Sequence, residues 1–251
     1  MRRKLIAGNW KMNLDIERSK ALLEKILSRP LSTGVDILIC PSFMSIPLAS
    51  KMLEGSKIHL GAQNMSSHEE GAYTGEVSGA FLKPFGVSHV ILGHSERRKY
   101  FSESDDFINQ KVKKALEFGL NPILCLGESL DEREAGLHKK KIKKQIEDGL
   151  KDIDKTWAED IIIAYEPIWA IGSGKTASAE QAQEMCKYIR EVLEGLYSET
   201  AQKMRILYGG SVNPSNIKDL MSEEDIDGAL IGGASLKAED FVNLVNFGEE
   251  K

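Results

Sequence analysis

The sequence predicts an α/β protein folded as one eight-fold barrel, (β/α)8, in a single domain over residues 1–251, and three observations carry that prediction. Eight short apolar, β-branched runs recur along the chain, each followed at once by glycine or polar residues. Between them lie stretches of helix-forming composition with 3.6-residue periodicity. Successive runs end about 22 to 43 residues apart, lengths that suit a strand, a crossover helix and a returning parallel strand. Runs apolar throughout, rather than alternating, imply strands buried on both faces, as in a parallel sheet covered by helices. Eight such units in a chain of 251 residues, 41% hydrophobic and without a linker or low-complexity stretch, match the barrel.

The first run, L-I-A-G from Leu5, ends in G-N-W-K from Gly8. A doubly wound open sheet, the competing architecture, would more naturally place a G-x-G-x-x-G turn here. A periodic segment from Asp15 to Arg29 then leads to D-I-L-I-C-P from Asp36 and to I-H-L-G-A-Q from Ile58. The connection that follows, Gln63 to Ser78, is longer than the usual βα loop of about 2–6 residues, which implies a functional or partner-binding role. The fourth run is V-I-L-G-H from Val90, followed by a helical pattern from Ser104 to Gly119, and the fifth is P-I-L-C-L-G-E from Pro122. The lysine-rich tract Lys139 to Ile146 reads as a helix with its two isoleucines, four apart, turned inward and its lysines solvated, in preference to a phospholipid site. The sixth run is I-I-I-A-Y-E from Ile161, and the helix Ala179 to Tyr197 separates it from R-I-L-Y-G-G at Arg205 and A-L-I-G-G at Ala229.

After the sixth run comes I-G-S-G-K-T-A-S, residues 171–178. A nucleotide P-loop needs a glycine five residues before Gly174, and that position is Trp169. The glycine, serine and threonine backbone there still offers N–H groups to a phosphate.

Thirty-three basic and 38 acidic side chains leave a formal net charge of −5, with no basic domain, so nucleic acid is not an expected partner. The basic start M-R-R-K lacks the apolar stretch of a signal peptide, and no segment reaches the length of a membrane span. A cytoplasmic protein with no membrane partner is expected. Cys40, Cys125 and Cys186 are odd in number and widely spaced. They suggest neither a disulfide framework nor a metal site, and are expected to be reduced.

In an eight-fold barrel the active site lies at the carboxyl ends of the strands. The residues there are Asn9, Trp10 and Lys11; Gln63 and Asn64; His94, Ser95 and Glu96; Glu128; Glu166; Gly209, Gly210 and Ser211; Gly232 and Gly233. Glu166 precedes Pro167, which biases it to extended geometry and lets its side chain project over the mouth. Among Tyr165, Ile168 and Trp169, desolvation would make it a better base than an exposed carboxylate. His94 precedes a helix that Ser95 is placed to cap, where the dipole favours neutral imidazole. The ammonium of Lys11 needs anionic company. The glycine pairs after the seventh and eighth runs, with a short helix beginning near Ala234, point to a phosphate. His59, His68, His89 and His138 read as structural or solvated, and His68, Glu69 and Glu70 as a polar loop rather than a metal site.

The segments G-N-W-K-M from Gly8, L-G-H-S-E-R-R from Leu92, A-Y-E-P-I-W-A-I-G-S-G-K-T-A from Ala164, Y-G-G-S-V from Tyr208 and I-G-G-A-S-L from Ile231 resemble, in order and from end to end, the signature segments of the triosephosphate isomerases. The resemblance implies a TIM barrel and reversible interconversion of dihydroxyacetone phosphate and D-glyceraldehyde 3-phosphate, without cofactor or metal. It makes Glu166 the base, His94 a neutral electrophile, Lys11 and Asn9 electrostatic and hydrogen-bonding support, and Glu96 a further active-site acid. The carboxylate with neutral histidine is this family's own standard case, so these roles are carried over and not deduced. Backbone amides at Gly172, Ser211, Gly232 and Gly233 match phosphate-binding positions, with Asn9 and Lys11 also at the substrate. Residues 167–177 match the family's lid, with Pro167 to Trp169 and Lys175 to Ala177 as hinges, and Ser173 standing where many relatives carry threonine. The loop 63–78, with G-A-Y-T-G-E from Gly71 at its tip, implies a homodimer in which Thr74 lies near the partner's active site.

Two other readings are open from the residues. Another sugar-phosphate barrel, such as an aldolase or a lyase of amino-acid synthesis, would share the phosphate wall, although a Schiff-base aldolase would need a lysine inside the sixth or seventh strand. A sugar-phosphate-binding or scaffold protein would keep the fold without the reaction.

Overall fold

Eight parallel strands close on themselves in sequence order, each paired with its two neighbours along the chain and the last with the first. In the computed structural model, which describes residues 2–170 and 177–249, they are β1 (Leu5–Asn9), β2 (Asp36–Cys40), β3 (Ile58–Ala62), β4 (Val87–Leu92), β5 (Asn121–Leu126), β6 (Ile162–Tyr165), β7 (Arg205–Tyr208) and β8 (Gly228–Ile231). The predicted runs coincide with these strands apart from their ends. The largest shift is in β4, which begins at Val87 because Val87 pairs with Leu60 and His89 with Gly61 on β3, across a register shift that leaves Ser88 without a partner.

Alternate side chains of these strands enter two apolar layers. Leu5, Ala7, Leu38, Cys40, Ile91, Ile123 and Leu207 fill the barrel interior, while Ile6, Ile37, Ile39, Val90, Leu92 and Ile206 face the helices. Burial of each such side chain contributes about 1.5–3 kcal/mol. Burial on both faces is why the runs read as continuously apolar.

The helices follow the caps that the sequence offers. Asp15 accepts the Arg18 N–H to start Ile16–Leu27, Ser104 accepts that of Phe107 to start Asp105–Glu117, and Ser178 forms a capping box with Gln181 ahead of Ala179–Tyr197. The lysine tract lies on His138–Gly149, with Ile142 and Ile146 buried. Lys139, Lys141, Lys143 and Lys144 each pair with a carboxylate, so four of the five lysines of the tract form an ion-paired surface.

One seam differs from the others. β7 and β8 share a single registered pair, Tyr208 with Ala229, and the side chain of Asp227 takes over where the ladder stops. The Asp227 N–H donates to the Ile206 carbonyl at 2.7 Å. Its Oδ2 accepts the Ile206 N–H at 2.9 Å and Arg190 at 2.7 Å, and its Oδ1 accepts Arg2 at 2.7 Å. Arg190 and Asp227 are both buried, so without Arg190 the buried Asp227 carboxylate keeps only Arg2 and the Ile206 N–H and is left under-compensated. Arg190→Met is expected to lower unfolding free energy by about 3–5 kcal/mol in urea titration. A loss under about 1 kcal/mol, the range of an exposed pair, would show that the seam does not depend on this contact.

Candidate active site

The carboxyl ends of β1, β4, β6, β7 and β8 surround a cavity of about 290 Å³, at the small end of ligand pockets. Asn9, Lys11, His94, Glu166, Ser211, Gly232 and Gly233 all line it. Glu96 does not. It stands one contact back, its Oε1 holding the Lys11 ammonium at 2.7 Å and its Oε2 lying 3.6 Å from His94 Nδ1. Gly172 and most of the predicted lid, residues 171–176, fall outside the described residues. The described ends of the lid are Pro167–Ala170 and Ala177.

Lys11 is placed by its backbone as much as by its side chain. Its φ of 52° puts a non-glycine residue in the left-handed region, a conformation that costs of order 1–3 kcal/mol and persists only where the surroundings impose it. Two amide side chains do so. Asn9 Oδ1 accepts the Lys11 N–H at 3.0 Å, and Gln63 Nε2 donates to the carbonyls of Lys11 and Cys40, each at 2.9 Å. Sequence reading puts Gln63 at a strand end and gives it no role, because a contact across three strands has no signal in spacing. Asn9, its carbonyl committed to Lys11, has its NH2 left for the cavity.

His94 is the N-cap of the helix Ser95–Tyr100. Its Nδ1 accepts the Glu96 N–H at 3.2 Å, so the cap is His94 and not Ser95 as expected. The reason is local: His94 is the last extended residue, with ψ of 141°, and the cap belongs to that position. Nδ1 is thereby an acceptor, and the ring proton is on Nε2, which donates to Glu166 Oε1 at 3.0 Å. The freed Ser95 instead offers its N–H to Glu166 Oε2 at 3.0 Å.

Glu166 is only 2% exposed. Burial by itself would raise its carboxyl, but the His94 ring, the Ser95 N–H and the Lys11 charge outweigh burial and hold it below the ordinary glutamate value. Burial would likewise lower His94, and the Glu166 carboxylate outweighs it and raises the ring. A second proton on that ring would have to enter Nδ1, against the Glu96 N–H, so the geometry favours neutral imidazole.

The glycines after β7 are required by packing. A Cβ on Gly209 would lie 2.9 Å from Glu166 Cγ, and one on Gly210 would lie 2.2 Å from the Tyr208 hydroxyl. Across the seam, a Cβ on Gly232 would lie 3.4 Å from Lys11 Cε, so the lysine stem runs over the glycine wall. Among the described residues, the N–H groups of Ser211 and Gly232 donate to no protein acceptor, and Gly233 opens the 3-10 turn Gly233–Leu236, where first-turn amides lack internal partners. The short helix expected near Ala234 is this turn.

Glu128, another strand-end acid without a predicted role, is fully buried. Its Oε1 accepts Tyr165 at 3.0 Å, Trp169 at 2.9 Å and Arg133 at 3.1 Å. It ties β5 and β6 to the residues that follow Pro167.

A family model described as triosephosphate isomerase matches residues 4–248. Proteins named triosephosphate isomerase are similar along nearly all of their length. That of Carboxydothermus hydrogenoformans is 53% identical over 247 residues, 98% of this chain and 98% of its own. That of Fusobacterium nucleatum is 53% identical over 251 residues, 99% of this chain and all of its own. That of Clostridium botulinum (type A) is 51% identical over 248 residues, 98% and 100%.

The depressed carboxyl of Glu166 ties stability to pH. A carboxyl held lower in the folded state stabilises above its unfolded pKa, and that contribution is lost as pH falls through the folded value. The raised His94 is the same contact seen from its other partner and is not counted again. Between pH 7 and the acid limb, the wild-type urea midpoint is expected to fall more steeply than that of Glu166→Gln. Parallel curves would mean that this contact carries no net coupling.

Proposed function

The chain belongs to the triosephosphate isomerase family, and from that premise we infer that Glu166, His94, Lys11 and Asn9 perform its cofactor-independent aldose–ketose isomerisation. The reading rests on one observation above the others: the Nε2 proton of His94, facing the cavity, is held by the carboxylate that has to act as base.

Dihydroxyacetone phosphate enters with its phosphate on the amides of Ser211, Gly232 and Gly233 and beside the Lys11 ammonium, with Gly172 assigned by resemblance. Its carbonyl oxygen takes the His94 Nε2 proton and the Asn9 NH2, displacing Glu166. The exchange changes the base. Glu166 gives up the His94 donor, first among the groups that depress its pKa, while burial remains, so its affinity for a proton rises as the substrate arrives.

Glu166 then takes a proton from C1. The C1–C2 double bond forms and negative charge moves to the former carbonyl oxygen, in front of His94, Asn9 and Lys11, whose donors are already aimed there. The hydroxyl proton passes from the C1 oxygen to the C2 oxygen through His94, and Glu166 returns its proton to C2, leaving an aldehyde at C1. Glu96 holds Lys11 in position by their contact. The lid of residues 167–177 is assigned to excluding water from this intermediate.

The protein is further read as a homodimer. The tip of the loop 63–78 is exposed, with Tyr73 stacked on His68 at 3.9 Å and the neck closed by Ser66 N–H on the Val77 carbonyl. A groove of about 630 Å³ next to the catalytic cavity is lined by Lys11, Met12, Phe43, Gln63, Tyr100 and Phe101, and Met12 is 97% exposed. A second copy's loop fills it with Thr74 near Lys11. The cytoplasm is the assigned compartment, supported by three free cysteines. No helix among the described residues is long and apolar enough to cross a membrane.

Turnover of D-glyceraldehyde 3-phosphate, followed through a coupled NADH-consuming dehydrogenase, is expected to be fast and to survive a chelator. No turnover with phosphate binding intact would move the reading to a binding protein. Glu166→Gln is expected to lower kcat about 10²–10⁴-fold and to retain affinity for a phosphate ligand. Unchanged kcat would remove Glu166 from the role of base. Sedimentation at micromolar concentration is expected to give the mass of a dimer, and a monomer alone would refute the docked loop.

A further inference from the structure

The helix Ser95–Tyr100 separates two cavities. At about 100° per residue, Arg97 and Phe101 share one face and line the groove assigned to a second copy. Ser95, Arg98 and Lys99 lie on the opposite face and line a different cavity, of about 610 Å³, whose far wall includes Gly127, Lys141 and Gln145. This cavity touches Lys11 and Glu96 at its edge, but His94, Glu166 and the glycine wall do not line it.

Its unfilled hydrogen-bonding capacity is almost all of one kind. Gln145 is 2% exposed, and its Oε1 accepts the Gly127 N–H at 2.9 Å. That contact fixes the orientation of the amide, because only the oxygen can accept, and leaves its NH2 with no described acceptor on the side of the cavity. The Ser95 hydroxyl makes no bond to a described residue, while its N–H holds Glu166. Lys99 enters no ion pair with a described group and lies 5.1 Å from the centre of the Tyr100 ring. Lys141 has only Glu132, at 3.4 Å, and the other oxygen of Glu132 is committed to the Ser129 N–H. Arg98 spends three of its five N–H donors, on Gly93, Asp105 and Cys125, and its charge is paired with Asp105. The two acids of the lining, Glu96 and Glu132, are each already paired with a lysine.

We infer that this cavity is a second binding site, for a small phosphate- or carboxylate-bearing anion. Gln145 NH2, the Ser95 hydroxyl, Lys99 and Lys141 supply the hydrogen bonds. The anion lies against the residue whose N–H holds the base and against Ile168, two residues beyond it. The inference does not depend on the catalytic reading, and its test is a binding measurement.

The probe is inorganic phosphate, titrated into the full chain while the side-chain amide of Gln145 and the backbone amides of Gly232 and Gly233 are followed by NMR. Phosphate is expected to shift the Gln145 amide along a titration curve distinct from that of Gly232 and Gly233. Lys141→Glu and, separately, Lys99→Glu are expected to weaken the Gln145 response at least about tenfold, the loss of a hydrogen bond to a charged group, and to leave the glycine response unchanged. A Gln145 shift that tracks the glycines, or that neither lysine variant alters, would overturn the second site, as would no shift at all. Loss of turnover with the Gln145 response intact would count against the catalytic reading only.

Discussion

Closure of the barrel is the constraint on which the site depends, and it is weakest between β7 and β8. A parallel ladder of one registered pair supplies little there, and the contacts of Asp227 with Ile206, Arg190 and Arg2 make up the difference. The same residue's carbonyl accepts the Leu5 N–H at 2.9 Å, so one aspartate joins β7, β8 and β1. Beyond the seam stand Ser211 on one side and Gly232 and Gly233 on the other. These residues meet around one cavity only because the strands beneath them are held together, which makes the floor of the barrel a condition for the shape of its mouth.

Within that mouth the governing balance is between burial and donors at Glu166. A carboxylate removed from water is costly unless hydrogen bonds replace its hydration, and here a histidine N–H and a backbone N–H do so. Both come from the turn at His94 and Ser95. The imidazole is turned by the N–H of Glu96, and Glu96 in turn holds Lys11. The Glu166 carboxylate, the His94 imidazole and the Lys11 ammonium are therefore members of one connected set, in which a ligand that takes one hydrogen bond redistributes the others.

Glycine has two uses at this mouth. Gly209 and Gly210 are small because Glu166 and the Tyr208 hydroxyl occupy the space that a Cβ would need. Gly127 is small because the Glu166 carbonyl would lie 1.8 Å from a Cβ. Gly232 and Gly233 have no such clash of comparable severity, and their exposed amides agree better with a ligand than with packing.

Much of this was legible in the amino-acid sequence, for a physical reason. Strands buried on both faces leave continuous apolar runs, crossover helices leave capped periodic segments, and a barrel puts its chemistry directly after the runs, so Asn9, Lys11, His94, Glu166, Ser211, Gly232 and Gly233 stood among the strand-end residues that position singles out, and the family resemblance picked them from neighbours such as Trp10, Asn64 and Glu128. What the sequence left open are relations between residues far apart in the chain. Gln63 shapes Lys11, Asp227 closes the seam, Glu128 gathers Tyr165, Trp169 and Arg133, and His94 displaces Ser95 as the cap. Local pattern reports on neighbours along the chain, because propensity and periodicity act over a few residues. Which carboxylate meets which donor across the barrel is decided only when closure brings the strand ends together, and tertiary structure alone records it.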